Sequence, residues 1–310
     1  VGLALVGVLG ATETDQYTAP PRVLFDVGPL LSQKIVSIIE ADRSGAPPDR
    51  ILARWVGHNV LRSRMTAWVK SVNVPGEMVR FKPSLRRSIY RTAASPAVAS
   101  FVFDSPTINI YGHYVGTDKV DHLLQQGHGY FMAVERGEAA GLSTAQAIQR
   151  AVARGVKQEH SYFGTLASGV YSNADLAANY VGMKFYLNLQ RKVKVGEREI
   201  EPLFVKTEAG WRLRAGLDPA RLLEAYVTDH LDESLNPSRY RFSRGRIGRE
   251  IAKRCEKWKT FYGEKTKLGA EFAKLWFGED YGHWLPKGEE VSAWTACKVD
   301  VAKPLEMTEE

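Results

Sequence analysis

The chain has no GxSxG, Walker A, GxGxxG or HExxH pattern. Phosphate-cradling loops, dinucleotide sites, serine-elbow hydrolases and helical zinc proteases therefore have no direct support. It has no apolar run of about 18 residues or more, so no segment reads as a membrane-spanning helix. It has only two cysteines, Cys255 and Cys297, and no CxxC spacing, which argues against a structural zinc site. The two could pair, closing a loop of about forty residues, or stay as buried thiols. Internal repeats and low-complexity tracts are absent.

What is present is ordinary globular composition: 310 residues, 44% hydrophobic and 25% charged. That length can bury one large core or two modest ones. The net charge is +7. The excess sits mostly in "RYRFSRGRIGREIAKRCEKWKTFYGEKTK", residues 239–267, which suits anionic lipid or an acidic cell-wall glycan. The start, "VGLALVGVL", is almost wholly apolar and is followed by the polar "GATETDQYTAPP". It reads as the back half of a secretory signal peptide, with Val8 and Gly10 suited to small-residue cleavage positions. An exported, periplasmic or envelope-associated protein is the expectation, and nucleic acid is not an expected partner. The oligomeric state is not legible.

Periodicity predicts a mainly α protein with an antiparallel core of three central helices, flanking helices and a small β-hairpin. "GPLLSQKIVSIIEA" reads as a helix. Residues 48–70 read as a second, on Leu52, Trp55, Val56, Met65 and Trp68. The central three run from about Thr117 to Arg136, from Ser143 or Thr144 to about Tyr162, and from Ser172 to about Asn188. "EPLFVKTEAGWRLRAG" reads as a hairpin turning at Ala209-Gly210. In "GLDPARLLEAYVTDHLDESLNPSRY", Asp218 and Pro219 suit the cap and first position of another helix. The expected organisation is 1–21 signal remnant and mature start, 22–110 helical, 111–190 three-helix core, and 191–310 hairpin plus basic helices.

"GHYVGTDKVDHLLQQGHGY", residues 112–130, holds three of the seven histidines. His122 and His128 lie about 120° apart around a helix axis, and His113 precedes the helix. A three-histidine metal site is therefore poorly supported, and no cofactor is implied, with a divalent metal left open. Asp118 and His122 are one turn apart, so the carboxylate is expected to fix the imidazole. Gly129 suggests a close approach on that face. Glu159 continues the apolar stripe of Ile148, Val152 and Gly155, so it is either a partly buried carboxylate with His122 or Lys119 as partner, or a last-turn residue at the edge of the core that reaches water. Ser172 and Asp175 fit a capping box. Asn179 follows one turn later, and Ala174, Ala178 and Gly182 form a small-residue row that admits another helix.

"TDKVDH", "GVKQE" and "SGVYSNADLAANYVG" together resemble the pattern of YfiM-like envelope lipoproteins and, more loosely, membrane-embedded VanZ-like proteins. Asp118, Lys119, His122, Glu159, Ser172, Asp175, Leu176 and Gly182 carry the match, over residues 111–190. Leu123 stands where an aromatic is usual, and no lipid-accepting cysteine follows the apolar start. The resemblance implies an envelope address and a polar three-helix cluster, but no reaction. Three functions are weighed. The first is an exported envelope protein whose Asp118, Lys119, His122, Glu159, Asp175 and Asn179 cluster is structural or binds a ligand. The second is a hydrolase of an envelope glycan, peptide or lipid headgroup. It would use Glu159 as acid/base and His122, oriented by Asp118, as base or metal ligand. The third is a basic module for anionic surfaces.

Overall fold

Two of the three central helices start at a serine cap, Ser143 and Ser172, and the first follows directly on a β-strand. The computed structural model describes residues 13–57, 63–93, 105–161, 168–196, 198–236, 238–263 and 291–297. The elements before the core are α1 (Gly28–Ala41), α2 (Pro48–Val56), α3 (Arg64–Ser71), β1 (Arg80–Phe81), β2 (Thr107–Ile110) and β3 (His113–Gly116). The core is α4 (Thr117–Asp121), a π-helical turn (His122–Gln126), α5 (Gly127–Ala139), α6 (Thr144–Glu159), β4 (Val170–Ser172) and α7 (Asn173–Asn188). After it come β5 (Val193–Val195), β6 (Arg198–Ile200), β7 (Phe204–Thr207), β8 (Gly210–Leu213), β9 (Ser238–Tyr240), α8 (Arg244–Ala252), α9 (Cys255–Tyr262) and α10 (Ala293–Cys297). The mainly α architecture with a central helical cluster and small separate sheets is as the periodicity predicts.

The expected helix over 48–70 is two helices. Gly57 takes φ +78°, which closes α2, and Ser63 caps α3 by accepting the Thr66 N–H. The stretch just before the core is a β-hairpin. β1, β2 and β3 form one antiparallel sheet, and the β2–β3 turn places Tyr111 and Gly112 at positive φ, 54° and 83°. The β7–β8 hairpin forms where expected.

The largest departure is at residues 218–236. Asp218 does cap, accepting the Ala220 N–H at 2.8 Å, but the segment continues only as short 3-10 turns at Pro219–Arg221, Glu224–Tyr226 and Asp229–Leu231. Side chains take over the backbone groups that a helix would pair. Leu223 N–H donates to Ser32 Oγ at 3.0 Å, and Ser234 N–H donates to Asp232 Oδ1 at 2.8 Å. Competition of this kind is why Ser and Asp disfavour helix interiors.

Glycines set the spacing of the core. A Cβ on Gly182 would lie 2.0 Å from the Leu123 carbonyl oxygen, and one on Gly127 would lie 2.7 Å from Gly182 backbone atoms. So α7 crosses the π-helical turn backbone against backbone, as the Ala174–Ala178–Gly182 row suggests. The close glycine on the first helix is Gly127. A Cβ on Gly129 would meet nothing within 4 Å, so that expected approach is absent. Tyr186 steadies the same turn by donating to the Leu124 carbonyl at 2.7 Å. Gly182→Ala forces backbone apart and is expected to cost about 3 kcal/mol or more, the upper end of overpacking. Urea unfolding reads this, and an unchanged midpoint would contradict the crossing.

Two apolar cores result. One gathers α1 to α7 with Leu223, Tyr226 and Leu231. The other joins Tyr17, Tyr90, Leu235, Tyr240, α8, α9 and α10. Cys255 and Cys297 form a disulfide that ties α9 to α10, which resolves the alternative the sequence leaves open.

Candidate functional site

A charged cluster sits where the two cores meet, and its centre is a lysine. Lys119 is 1% exposed. Its Nζ lies 2.6 Å from Asp118 Oδ2, 2.5 Å from Asp175 Oδ1 and 2.5 Å from Glu233 Oε1. The three carboxylates come from α4, α7 and the 229–236 loop, so one ammonium joins three separate elements.

Local chemistry explains why each carboxylate points inward. Asp118 lies in the first turn of α4, behind the hairpin that ends at Gly116. Its Oδ1 accepts from Ser105 Oγ at 2.7 Å and Thr14 Oγ1 at 3.0 Å. Asp175 is freed by a division of labour at the start of α7. Ser172 Oγ accepts the Asp175 N–H at 3.2 Å, as a cap should. The reciprocal half of the box is supplied by Glu159, whose Oε1 accepts the Ser172 N–H at 3.0 Å. The Asp175 carboxylate is therefore available to Lys119. Glu233 is held by its backbone: its N–H donates to Gln16 Oε1 at 2.8 Å, and its carbonyl accepts from Tyr17 Oη at 2.9 Å. Glu13, Thr14, Asp15, Gln16 and Tyr17 are all buried, so this stretch is a strap across the cluster.

Burial and charge divide the acids into two kinds. Burial alone would lower the Lys119 pKa, but Asp118, Asp175 and Glu233 outweigh it and hold the ammonium well above the usual lysine range. Burial opposes ionisation of Asp118 as well. Lys119 and then His122 prevail, and its carboxyl stays below the ordinary value. The other acids go the opposite way. Burial pushes Glu233 up to about 8, against the pull of Lys119. Burial, with Glu233 and Asp175 nearby, pushes Glu13 well up. Burial and then Asp175 do the same to Glu159. One lysine cannot neutralise every acid around it, so burial drives the others toward their protonated forms.

Asp118, Asp175 and Glu233 offer oxygens within 4.8 Å of one another, a spacing that suits a cation. Lys119 Nζ already occupies ion-pair distance from all three and supplies that positive charge. His122 is not a member of that three-carboxylate group.

His122 forms the outer edge. Its side chain is 20% exposed, and Nε2 lies 3.3 Å from Asp175 Oδ2. The Asn179 amide nitrogen belongs on the side facing His122 Nδ1 at 3.0 Å, the His122 carbonyl at 3.3 Å and the Asp175 carbonyl at 3.2 Å, because an oxygen there would face only acceptors. Nδ1 then accepts, and Nε2–H points at Asp175. The expected Asp118–His122 pair does not form. Asp118 is turned inward to Lys119 and two hydroxyls, and Asp175 takes its place beside the imidazole.

Asp118, Lys119, His122, Asp175 and Asn179 thus converge. Glu159 is joined to them through the Ser172 N–H, and the charges of Asp175 and Lys119 act on it. His113 pairs with Asp229, Nδ1 to Oδ1 at 2.7 Å, and His128 packs against Phe131 and Tyr186. Glu233 and Glu13 are missing from the sequence reading. Both lie far in sequence from Lys119, Glu13 in a stretch without an apolar period and Glu233 in one whose pattern reads as a helix. The only signal was the density of acids and hydroxyls in "TETDQ" and "DHLDES".

Comparison with protein-family models, characterised proteins and solved structures finds no match. The resemblance to YfiM-like and VanZ-like proteins is accordingly withdrawn. Among the described residues no helix is long and apolar enough to cross a membrane, which conflicts with the membrane-embedded architecture of VanZ-like proteins. The support that the resemblance lent to an envelope address goes with it. The signal-like start, residues 1–9, lies outside the described residues.

Proposed function

We propose that the chain is a ligand-binding protein whose site is the outer edge of the lysine-centred cluster, with His122 as the group that meets the ligand. One observation carries this reading: a partly exposed imidazole has both ring nitrogens fixed by buried groups, Asp175 and Asn179. Asp175 is already paired with Lys119, so it can yield Nε2–H to an acceptor on a ligand without being left unpaired. Sugar hydroxyls and amide carbonyls fit such a donor. The cluster behind is the rigid support that holds the imidazole in one orientation.

A hydrolase is the second reading, favoured by Glu159. A general acid must hold its proton near neutral pH, and burial pushes this carboxyl in that direction. One set of measurements separates the readings. His122→Ala is expected to cost only about 1–2 kcal/mol in stability, the range for losing buried hydrogen bonds. The probes are chitobiose and dialanine, followed through the His122 imidazole NMR signals, with p-nitrophenyl glycoside and ester turnover in parallel. Saturable perturbation of these signals, with calorimetric binding of the same probe lost in His122→Ala and no turnover, supports binding. Turnover lost in both His122→Ala and Glu159→Gln makes it a hydrolase. Neither signal nor turnover removes both readings.

A further inference from the structure

We propose that the groove between the Ile89–Thr92 turn and α8 is a binding site for a phosphate-type oxyanion, held by Arg91, Arg246 and Arg249. The groove has a volume of about 540 Å³ and is lined by Arg91, Thr92, Ala93, Arg246, Arg249 and Glu250. That is within the size range of small-ligand sites.

One wall is preorganised. Glu250 is buried and grips Arg91 by two atoms, Arg91 Nη2 to Oε1 at 2.9 Å and Nε to Oε2 at 2.8 Å. This pairing uses one edge of the guanidinium and leaves the Nη1 edge for another acceptor. The same carboxylate also pairs with Lys253 at 2.7 Å and Arg254 at 3.1 Å. Its single negative charge is therefore shared among three cations.

The opposite wall is uncompensated. Arg246 and Arg249 are one turn apart on α8, so they share a face. Both are exposed, and neither has an acidic partner among the described residues. Gly245 and Gly248 flank them and leave the surface open, since a Cβ on Gly248 would meet nothing within 4 Å. Among the described residues that line the groove, Arg91, Arg246 and Arg249 face one acid, Glu250, which leaves an excess of two positive charges. An excess of this size calls for a multiply charged anion rather than a single carboxylate. The planar fork of arginine matches phosphate oxygens in pairs. The phosphate could belong to a soluble ester or to a lipid headgroup, and the chemistry of recognition is shared.

The test is calorimetric titration of the full chain with inorganic pyrophosphate and with acetate. It is accompanied by pelleting with phosphatidylglycerol vesicles and with phosphatidylcholine vesicles. Pyrophosphate is expected to bind saturably and acetate at least about tenfold more weakly. Arg246→Ala/Arg249→Ala removes two exposed side chains and is expected to weaken binding about tenfold or more. The charge-matched control Arg198→Ala/Lys206→Ala, on the distant hairpins, is expected to bind as the parent does. Pelleting that the first variant loses assigns the phosphate to a headgroup. Pyrophosphate binding without pelleting assigns it to a soluble ester. The proposal is overturned if neither pyrophosphate nor phosphatidylglycerol vesicles bind, if acetate binds equally well, or if the control loses as much as the groove variant.

Discussion

Lys119→Met is expected to lower the free energy of unfolding at pH 7 by about 3–5 kcal/mol, the range for breaking a buried ion pair from one side. The methionine fills similar volume, so the loss is electrostatic rather than a cavity. Asp118 is left buried without Lys119, the largest of the influences that hold its carboxyl below the ordinary value. Its remaining partners, Ser105 and Thr14, are neutral hydroxyls. The orphaned acids can relieve themselves by taking up protons. The cost of the variant is therefore expected to be smaller at pH 5 than at pH 8. Chemical denaturation of parent and variant at both pH values checks this. A loss below about 1 kcal/mol at pH 7, the scale of a surface pair, would mean that the lysine is not the centre of the cluster.

The second large effect is the pH dependence of the parent protein. Burial raises Glu233 to about 8 from an ordinary 4.5, and Asp232 to about 7 from 3.8. For both groups the folded state holds a proton that the unfolded state has released. Their stabilising contribution is fully present below the unfolded values and is lost as pH rises through the folded ones. Each carboxyl gives a slope of about −1.4 kcal/mol per pH unit within its window. Glu13 and Glu159 shift in the same direction. Two groups act oppositely. Asp118 is lowered, and Glu250 is held at about 2, since its bonds from Arg91, Lys253 and Arg254 outweigh burial. Their contribution is lost as pH falls below the ordinary carboxylate range. Stability should therefore peak near pH 5, by the position of these windows, and fall steadily between pH 6 and 8.5. Melting curves across that range test it. Glu233→Gln keeps an acceptor for Lys119 and should flatten the slope. A midpoint that rises or stays level from pH 6 to 8.5 would contradict the assignment of protons.

The helical core was legible because its signals are local. Ser143 and Ser172 cap the helices they precede, and the Ala174–Ala178–Gly182 row marks a real backbone approach. Five members of the cluster, Asp118, Lys119, His122, Asp175 and Asn179, could be placed on facing helices from periodicity alone. The pairing within the cluster was not legible. A capping-box pattern assigns Asp175 to Ser172, but Glu159, arriving from the end of another helix, takes that role. The pattern of i, i+4 neighbours assigns Asp118 to His122, but two hydroxyls and a lysine pull Asp118 inward. Glu233 was invisible for a further reason. Its segment carries the cap, proline and apolar spacing of a helix, while its serines and aspartates satisfy the backbone in tighter turns. Local pattern cannot rank a cap against a competing long-range partner, because both satisfy the same N–H.

A double-mutant cycle between Lys119→Met and Asp118→Asn tests most directly that one buried ammonium is the cation of this site. Asp118→Asn removes the charge but keeps an acceptor for Ser105 and Thr14. Unfolding free energies at pH 7 are expected to be non-additive, with the pair costing at least about 1–2 kcal/mol less than the sum of the single variants. Additive losses would contradict a lysine-centred cluster.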